Sequence, residues 1–381
     1  ELTKEQQLES AIRYLGFTGS LSSSDQFAAW IYGVLGLPML KKTATGRGAT
    51  DKHTLENLMQ LHPAIPVYKE YKKTLSMRVK FTEPMLRANK PELVYSLNQT
   101  STRTGRLSAS AIPDEHERKG KKRNEGFNIQ QFTYEVRKAI EAPDGELMWA
   151  ADQSQVEPRI VAVASQDPKM LDDYRNGRDA YSSLGIQMGF PVNNEGRVVD
   201  PVARKTLKGI FLGWLYGAKG IKMQETARMQ GIELSLAECQ KYAADLERAR
   251  PRLPAWKAET LAEARLNGAA FSLFGRRRLL PELNYANPDI REAAEREAIN
   301  MIPQGTSVDV LKMGLPRVHR LVKSSGVGKN RMPIHDENLG TAQEKHAEEL
   351  AYAVAEEMAK IEFEIPLVTE PKIGKSWFDA K

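Results

Sequence analysis

The chain has 381 residues, enough for two or three subdomains, and 55 Lys plus Arg against 49 Asp plus Glu leave a formal charge of +6. That balance favours a polyanionic partner but fits an ordinary basic protein equally well. A single cysteine, Cys239, excludes an internal disulfide and suits a reducing, intracellular setting; no Cys/His cluster has zinc-ligand spacing, and no apolar run approaches the roughly 20 residues that span a bilayer.

A large soluble protein is therefore expected. The opening ELTKEQQLES lacks the layout of a secretory signal, and because it starts on Glu1 inside a helical pattern, residues upstream are expected to be missing. From Gln6 to Lys90 the text reads as short amphipathic helices. In SSSDQFAAWIYGVLG, Ser22 to Ser24 and Asp25 can cap and Gly36 can terminate. The segment KKTATGRGATDKH, Lys41 to His53, reads as a mobile basic loop or a merely solvated one. In DEHERKGKKRNEG, Asp114 to Gly126, the cations Arg118, Lys119, Lys121, Lys122 and Arg123 could track a nucleic-acid backbone, although charge runs are commonly just solvated.

The most strand-like text is ELMWAADQSQ, Glu146 to Gln155, apolar up to Asp152, after which VEPRIVAVASQD turns apolar again. Burying an isolated carboxylate is costly without compensation, so Asp152 belongs at a wet strand end or at a metal. In VARKTLKGIFLGWLYG, Val202 to Gly217, Arg204, Lys208, Leu212 and Tyr216 recur every four residues. On a helix they span an arc of roughly 120°. Two cations followed by apolar and aromatic residues suit a triphosphate with a base or sugar beyond it; the alternative is an amphipathic helix with a basic rim. Gly209, Gly213 and Gly217 signal close approach or bending. In RMPIHDENLG, Arg331 to Gly340, the triplet His335, Asp336 and Glu337 is either a solvated turn or half of a metal site. Asp152 and Asp336 lie 336 − 152 = 184 positions apart and converge only if their strands share a sheet. Two carboxylates would then suit hard Mg²⁺ ions at a phosphoryl-transfer centre.

Taken in order, NQTSTRTGRLSAS (Asn98 to Ser110), NIQQF (Asn128 to Phe132), DQSQVEPR (Asp152 to Arg159), RKTLKGIFLGWLYG, LFGRRRLLPELN (Leu273 to Asn284), EREAINMIPQGTSVD (Glu295 to Asp309) and IHDE resemble the motifs of family A DNA polymerases, the DNA polymerase I group. LGLPMLKKTATG and the closing IGKSWFDAK extend the resemblance to nearly the whole chain. It implies an α+β, mostly helical right-hand fold with an antiparallel palm sheet: thumb 1–95, N-terminally truncated; palm, first part, 96–169; fingers 170–285; palm, second part, 286–381. The implied reaction is template-directed addition of deoxynucleotides to a primer 3′-hydroxyl with pyrophosphate release. Two Mg²⁺ ions, replaceable by Mn²⁺, would sit on Asp152, Asp336 and the Gln153 carbonyl, with Lys208 a third catalytic residue.

By the same resemblance Arg204 and Lys208 grip the triphosphate, while Leu212, Tyr216, Gln155 and Tyr181 complete the nucleotide site and Glu157 excludes a 2′-hydroxyl. Thr104, Arg106, Asn128, Gln131, Arg296, Asn300, Gln304, His335 and Glu337 would contact primer and template, testing pair shape from the minor groove rather than reading sequence. Primer-template DNA and deoxynucleoside triphosphates are the implied partners of a monomer in a bacterial or phage-infected cytoplasm, without a membrane and without a proofreading domain in this chain.

Several residues depart from the family pattern. Leu212 stands where Phe or Tyr is usual, as in some phage members, and Tyr181 where a His commonly meets the triphosphate. Gln153 and Pro158 replace Tyr and Leu. Proline cannot donate to a ladder, so the backbone near Pro158 should leave the sheet or bulge. Pro333 and Asn338, in place of apolar strand residues, should weaken the hairpin that displays Asp336. A primer-template-binding protein with impaired catalysis and a two-metal phosphohydrolase are the alternatives. Part of the triplet Arg276 to Arg278 could serve only to hold the fingers on the palm.

Overall fold

The helical text near the N-terminus folds as its caps dictate. In this computed structural model, which describes residues 3–110, 112–113, 124–194, 197–218, 220–229 and 232–381, Ser23 accepts from the Gln26 amide and starts a helix over Ser24–Ala29. One π-turn, Trp30–Val34, prolongs it, and Gly36 at φ +64° ends it. The cations expected at 118–123 lie outside the described residues.

The chain divides into two units, Glu1–Val94 with Ile112–Phe127, and Tyr95–Ala111 with Asn128–Lys381. The core of the first unit gathers Ile12, Phe17, Phe27, Trp30, Leu58, Ile65 and Tyr68. The basic segment 41–53 departs from the mobile-loop reading. Lys42 bridges Gly48, Lys41 meets Asp51 at 3.2 Å, and Arg47 pairs with Asp25. The Lys41–Asp51 pair and the Lys42–Gly48 bridge close the segment on itself, and the exposed Arg47–Asp25 pair joins it to the helix Ser24–Ala29.

The second unit is built on an antiparallel four-stranded sheet. In chain order its principal elements are β1 (Glu146–Gln153), α1 (Val156–Ser165), α2 (Pro168–Arg175), α3 (Ala180–Gln187), α4 (Pro201–Leu215), α5 (Leu236–Ala249), α6 (Arg252–Asn267), α7 (Pro288–Ser325), β2 (Gly328–Ile334), β3 (Glu337–Gln343), α8 (Ala347–Ala359) and β4 (Thr369–Gly374). The strand order is β4-β1-β3-β2. Trp149 and Ala151 on one face of β1 pack with Leu311 and Val318 of α7 and with Leu350 and Val354 of α8. Among the described residues no helix is long and apolar enough to cross a membrane.

The second apolar run, VEPRIVAVAS, is helix α1 rather than strand. Gln155 turns the chain out of the sheet at φ +52°, and Pro158 then sits in the first helical turn, where a missing N–H leaves no bond unmade. Pro333 lies on β2, an edge strand that tolerates proline, opposite Asn338 on β3. The weak point of the hairpin is therefore Asn338. It is 0 % exposed, and neither atom of its amide has a hydrogen-bond partner.

Behind the sheet, Trp149 is fully buried and donates its indole N–H to the Thr341 carbonyl at 3.3 Å. Its register partner is Gly340, where a Cβ would stand 2.1 Å from the indole ring and 2.3 Å from the Lys329 carbonyl oxygen of β2, so a smaller residue at 149 relieves only the first contact. A large residue on β1 is thus matched by the absence of a side chain on β3. Gly340→Ala should cost about 1–3 kcal/mol of stability, and Trp149→Leu in the same chain should recover part of that loss. Additive melting shifts in the double variant would refute the pairing. Asn338→Leu should raise stability by about 1–3 kcal/mol by removing two unpaired polar groups, as read from denaturant midpoints.

Candidate active site

Strand pairing brings the two aspartates together. Asp152 lies near the end of β1, and the next amide, of Gln153, donates to the Asp336 carbonyl at 3.2 Å. Asp336 occupies the two-residue connection between β2 and β3. Its neighbour His335 holds φ +57°, a conformation that costs a non-glycine residue about 1–3 kcal/mol and persists where the surroundings enforce it. Asp152 also has Glu337 of β3 and Glu370 of β4 as its cross-strand partners, so acidic residues occupy three adjacent strands.

Facing these acids is helix α4. Asp200 caps it by accepting from the Val202 and Ala203 amides. A Schellman pair closes it: Gly217, at φ +78°, donates to the Trp214 carbonyl and Ala218 to the Gly213 carbonyl. Arg204, Lys208 and Leu212 of α4 line a cavity of about 340 Å³ with Asp152, Gln153, Gln155, Glu157, Tyr181, Asp336 and Glu370. Acids from the sheet and α1 and cations from α4 thus line one recess.

Burial first, then the charges of Asp336 and Glu337, push the Asp152 carboxyl up to about 6, while Lys381 and Lys372 oppose the shift. Glu157 is also raised, mainly by burial and against Arg106. Its two carboxylate oxygens accept from the Arg106 guanidinium at 2.7 Å and from the Tyr216 hydroxyl, which ties the end of α4 to the floor of the site. Tyr181 is buried, with the Arg204 guanidinium 5.8 Å from its ring centroid. Burial and nearby Asp179 hold its phenol neutral by raising its pKa.

Asp179, Glu370 and Lys381 were not singled out in the sequence. Asp179 caps α3, pairs with Arg204 at 3.3 Å and accepts from the Gln155 amide at 3.1 Å. Its N-cap position was a local signal. Glu370 carries none, because only the pairing of β4 with β1 puts it beside Asp152.

Arg296, Asn300 and Gln304 fall at four-residue spacing along α7. A Cβ on Gly217 would meet the Arg296 side chain at 2.8 Å, so this stripe begins where α4 ends. The Asn300 side-chain oxygen is buried without a partner. Thr104 and Arg106 lie on the connection between the short strands Ser96–Asn98 and Ser108–Ser110. Asn128 caps the turn Ile129–Gln131; Gln131 is exposed, whereas its neighbour Gln130 holds the Ala109 amide and the Leu107 carbonyl. His335 is exposed. Glu337, expected to meet DNA, is instead buried and bound to Lys381 at 3.0 Å. Arg276 and Arg278 pair with Asp309 and Glu297 of α7, a structural use of that triplet.

Among the described residues no group of three or more His, Cys, Asp or Glu side chains forms a ready-made metal cage. Two partly buried, mutually repelling aspartates are nevertheless a fitting donor set for Mg²⁺, which is commonly held by one or two carboxylates together with water and substrate phosphates.

The family DNA polymerase family A matches residues 2–379. The thermostable DNA polymerase I of Thermus aquaticus is 31% identical over 392 residues, covering 98% of this chain and 44% of the relative. DNA polymerase I of Pseudomonas aeruginosa is 31% identical over 371 residues, covering 95% of this chain and 38% of the relative. The chain therefore spans less than half the length of these curated relatives. The structure of the POL domain of Pol1 from M. smegmatis, in complex with DNA primer-template and dNTP, superposes with a TM-score of 0.82 at 26% identity, over 99% of this chain and 66% of that one. The fold is accordingly the mostly helical α+β fold of a polymerase domain, and the chain belongs to DNA polymerase family A.

Proposed function

We propose that this chain is the polymerase portion of a template-directed DNA polymerase that extends a primer 3′-hydroxyl with deoxynucleotides. The observation that carries the proposal is the single recess lined by Asp152 and Asp336 from the sheet and its connection and by Arg204 and Lys208 from α4. In this reading the first unit is the thumb, β1 to β4 with α7 and α8 are the palm, and α2 to α6 are the fingers.

Two Mg²⁺ or Mn²⁺ ions, held by Asp152, Asp336 and the Gln153 carbonyl, would supply Lewis-acid activation of the 3′-hydroxyl and neutralise charge at the α-phosphate. The residues of the chain do the positioning. Arg204, already oriented by Asp179, takes the triphosphate, and Lys208 one helical turn on stabilises charge on the departing pyrophosphate. Gln155, fixed by Asp179, and the buried Tyr181 shape the same pocket, while Leu212 offers an apolar surface to the sugar. Glu157, clamped by Arg106 and Tyr216, is the wall that a 2′-hydroxyl would strike. Tyr216 closes the nascent pair. Thr104, Arg106, Asn128, Gln131, His335 and the α7 stripe Arg296, Asn300 and Gln304 follow primer and template. Binding without turnover is the second reading, favoured only by the unpaired amide of Asn338 in the hairpin that carries Asp336.

Primer extension on a recessed primer-template with Mg²⁺ tests the function directly. Asp152→Asn or Asp336→Asn should lower extension by about a thousandfold or more while changing DNA affinity little. Normal extension by either variant would remove the assignment. Glu157→Ala should weaken discrimination against ribonucleotides at least about tenfold in kcat/KM, and unchanged selectivity would dismiss the steric role.

The raised pKa of Asp152 carries a stability consequence with a definite sign. A carboxyl whose folded pKa is about 6 rather than 3.8 favours folding when neutral, so its contribution falls as pH rises through that window and stays lost above it. Without divalent metal, Asp152→Asn should therefore melt higher than the parent at pH 8 and alike at pH 3.5 or below. An unchanged or lower Tm at pH 8 would contradict the electrostatic reading of the site.

A further inference from the structure

Glu337 presents a puzzle of position. It follows Asp336 directly and is the cross-strand partner of Asp152, so pleat geometry sends its side chain to the same face of the sheet as Asp152. Placement alone would make it a third ligand for any cation held there. Its side chain is instead 3% exposed, with one carboxylate oxygen 3.0 Å from the Lys381 ammonium. A buried acid needs such a partner, because an uncompensated charge in that setting is strongly destabilising.

Lys381 is delivered by a folded segment. The Ala142 amide donates to the Lys375 carbonyl at 2.9 Å and the Trp377 amide to the Ile140 carbonyl at 2.8 Å. Trp377 and Ala380 are fully buried, and the Arg137 guanidinium lies 4.3 Å from a Trp377 ring centroid. Ser376 and Asp379 bond to each other, the hydroxyl donating to the carboxylate at 2.7 Å. The ammonium therefore arrives at a fixed point.

We propose that Lys381 is a positioning residue of the acidic site, capturing Glu337 and withholding its carboxylate from divalent cations held by Asp152 and Asp336. The inference rests on the metal assignment made under the proposed function. Its consequence is a site that loses the carboxylate next to Asp336 and keeps Asp152 and Asp336, with Glu370 of β4 beside Asp152. Such a site holds its ions weakly until triphosphate oxygens arrive, so ion occupancy follows nucleotide occupancy.

Mn²⁺ binding to the nucleotide-free, DNA-free protein, followed by electron paramagnetic resonance, tests this apart from activity. Lys381→Met should tighten Mn²⁺ binding about tenfold or more, the scale on which residues behind metal ligands act. In a Glu337→Gln background the same change should alter affinity by less than about threefold, because the gain requires the freed carboxylate. Lys381→Arg, which keeps the charge and most of the reach, should bind as the parent does. Equal gains in both backgrounds would mean that Lys381 acts only as a distant charge, and no gain would mean that Glu337 is not withheld; either result overturns the proposal. Asp336→Asn separates the levels: if it binds Mn²⁺ as the parent does, the metal assignment itself fails and the inference falls with it.

Discussion

The repulsion between Asp152 and Asp336 is the constraint around which the sheet unit is organised. Asp152 near the end of β1 and Asp336 in the adjoining β2–β3 connection are partly out of water, and the charge of Asp336 raises the pKa of Asp152 and opposes folding while both are charged. The surroundings supply cations from several elements. Lys381 is locked onto the neighbouring Glu337, Lys372 acts from β4, and Arg204 and Lys208 face the acids across the recess. None of these ammonium or guanidinium groups forms an ion pair with Asp152 or Asp336 among the described residues. The two acids keep their charge available for a ligand.

Holding such a pair requires a stiff backing, and the opposite face of the sheet provides it. Trp149 fills the space that Gly340 leaves, and α7 and α8 cover both. The same hairpin also contains features that oppose stability: His335 in a left-handed conformation and Asn338 with its amide unpaired. Functional hairpins commonly retain local strain when the neighbouring packing over-determines them. Here the packing is the aromatic and helical layer behind β1 and β3.

The cationic side of the recess is organised by a different device. Helix α4 is defined at both ends by side-chain or glycine caps, so the four-residue repeat of Arg204 and Lys208 becomes a rigid row. Asp179 anchors its first cation, and the Tyr216–Glu157–Arg106 chain anchors its last turn. Glu157 is thereby held from two sides, which suits a residue whose proposed role is steric.

Much of this was legible in the residues themselves. Periodicity and caps are local, so the helical N-terminal region, the cationic face of α4 and the strand ending near Asp152 followed from the sequence, and the ordered motifs carried the family. The acidic centre was legible only as a condition, that two strands 184 positions apart share a sheet, and β-pairing met that condition. Three things were decided by the tertiary structure alone. Arg47 of the segment 41–53 meets Asp25 of the helix Ser24–Ala29; Glu370 stands beside Asp152 because β4 pairs with β1; and Glu337 is a buried partner of Lys381. Each depends on which distant charge or strand comes close, a property of long-range packing that no local pattern encodes.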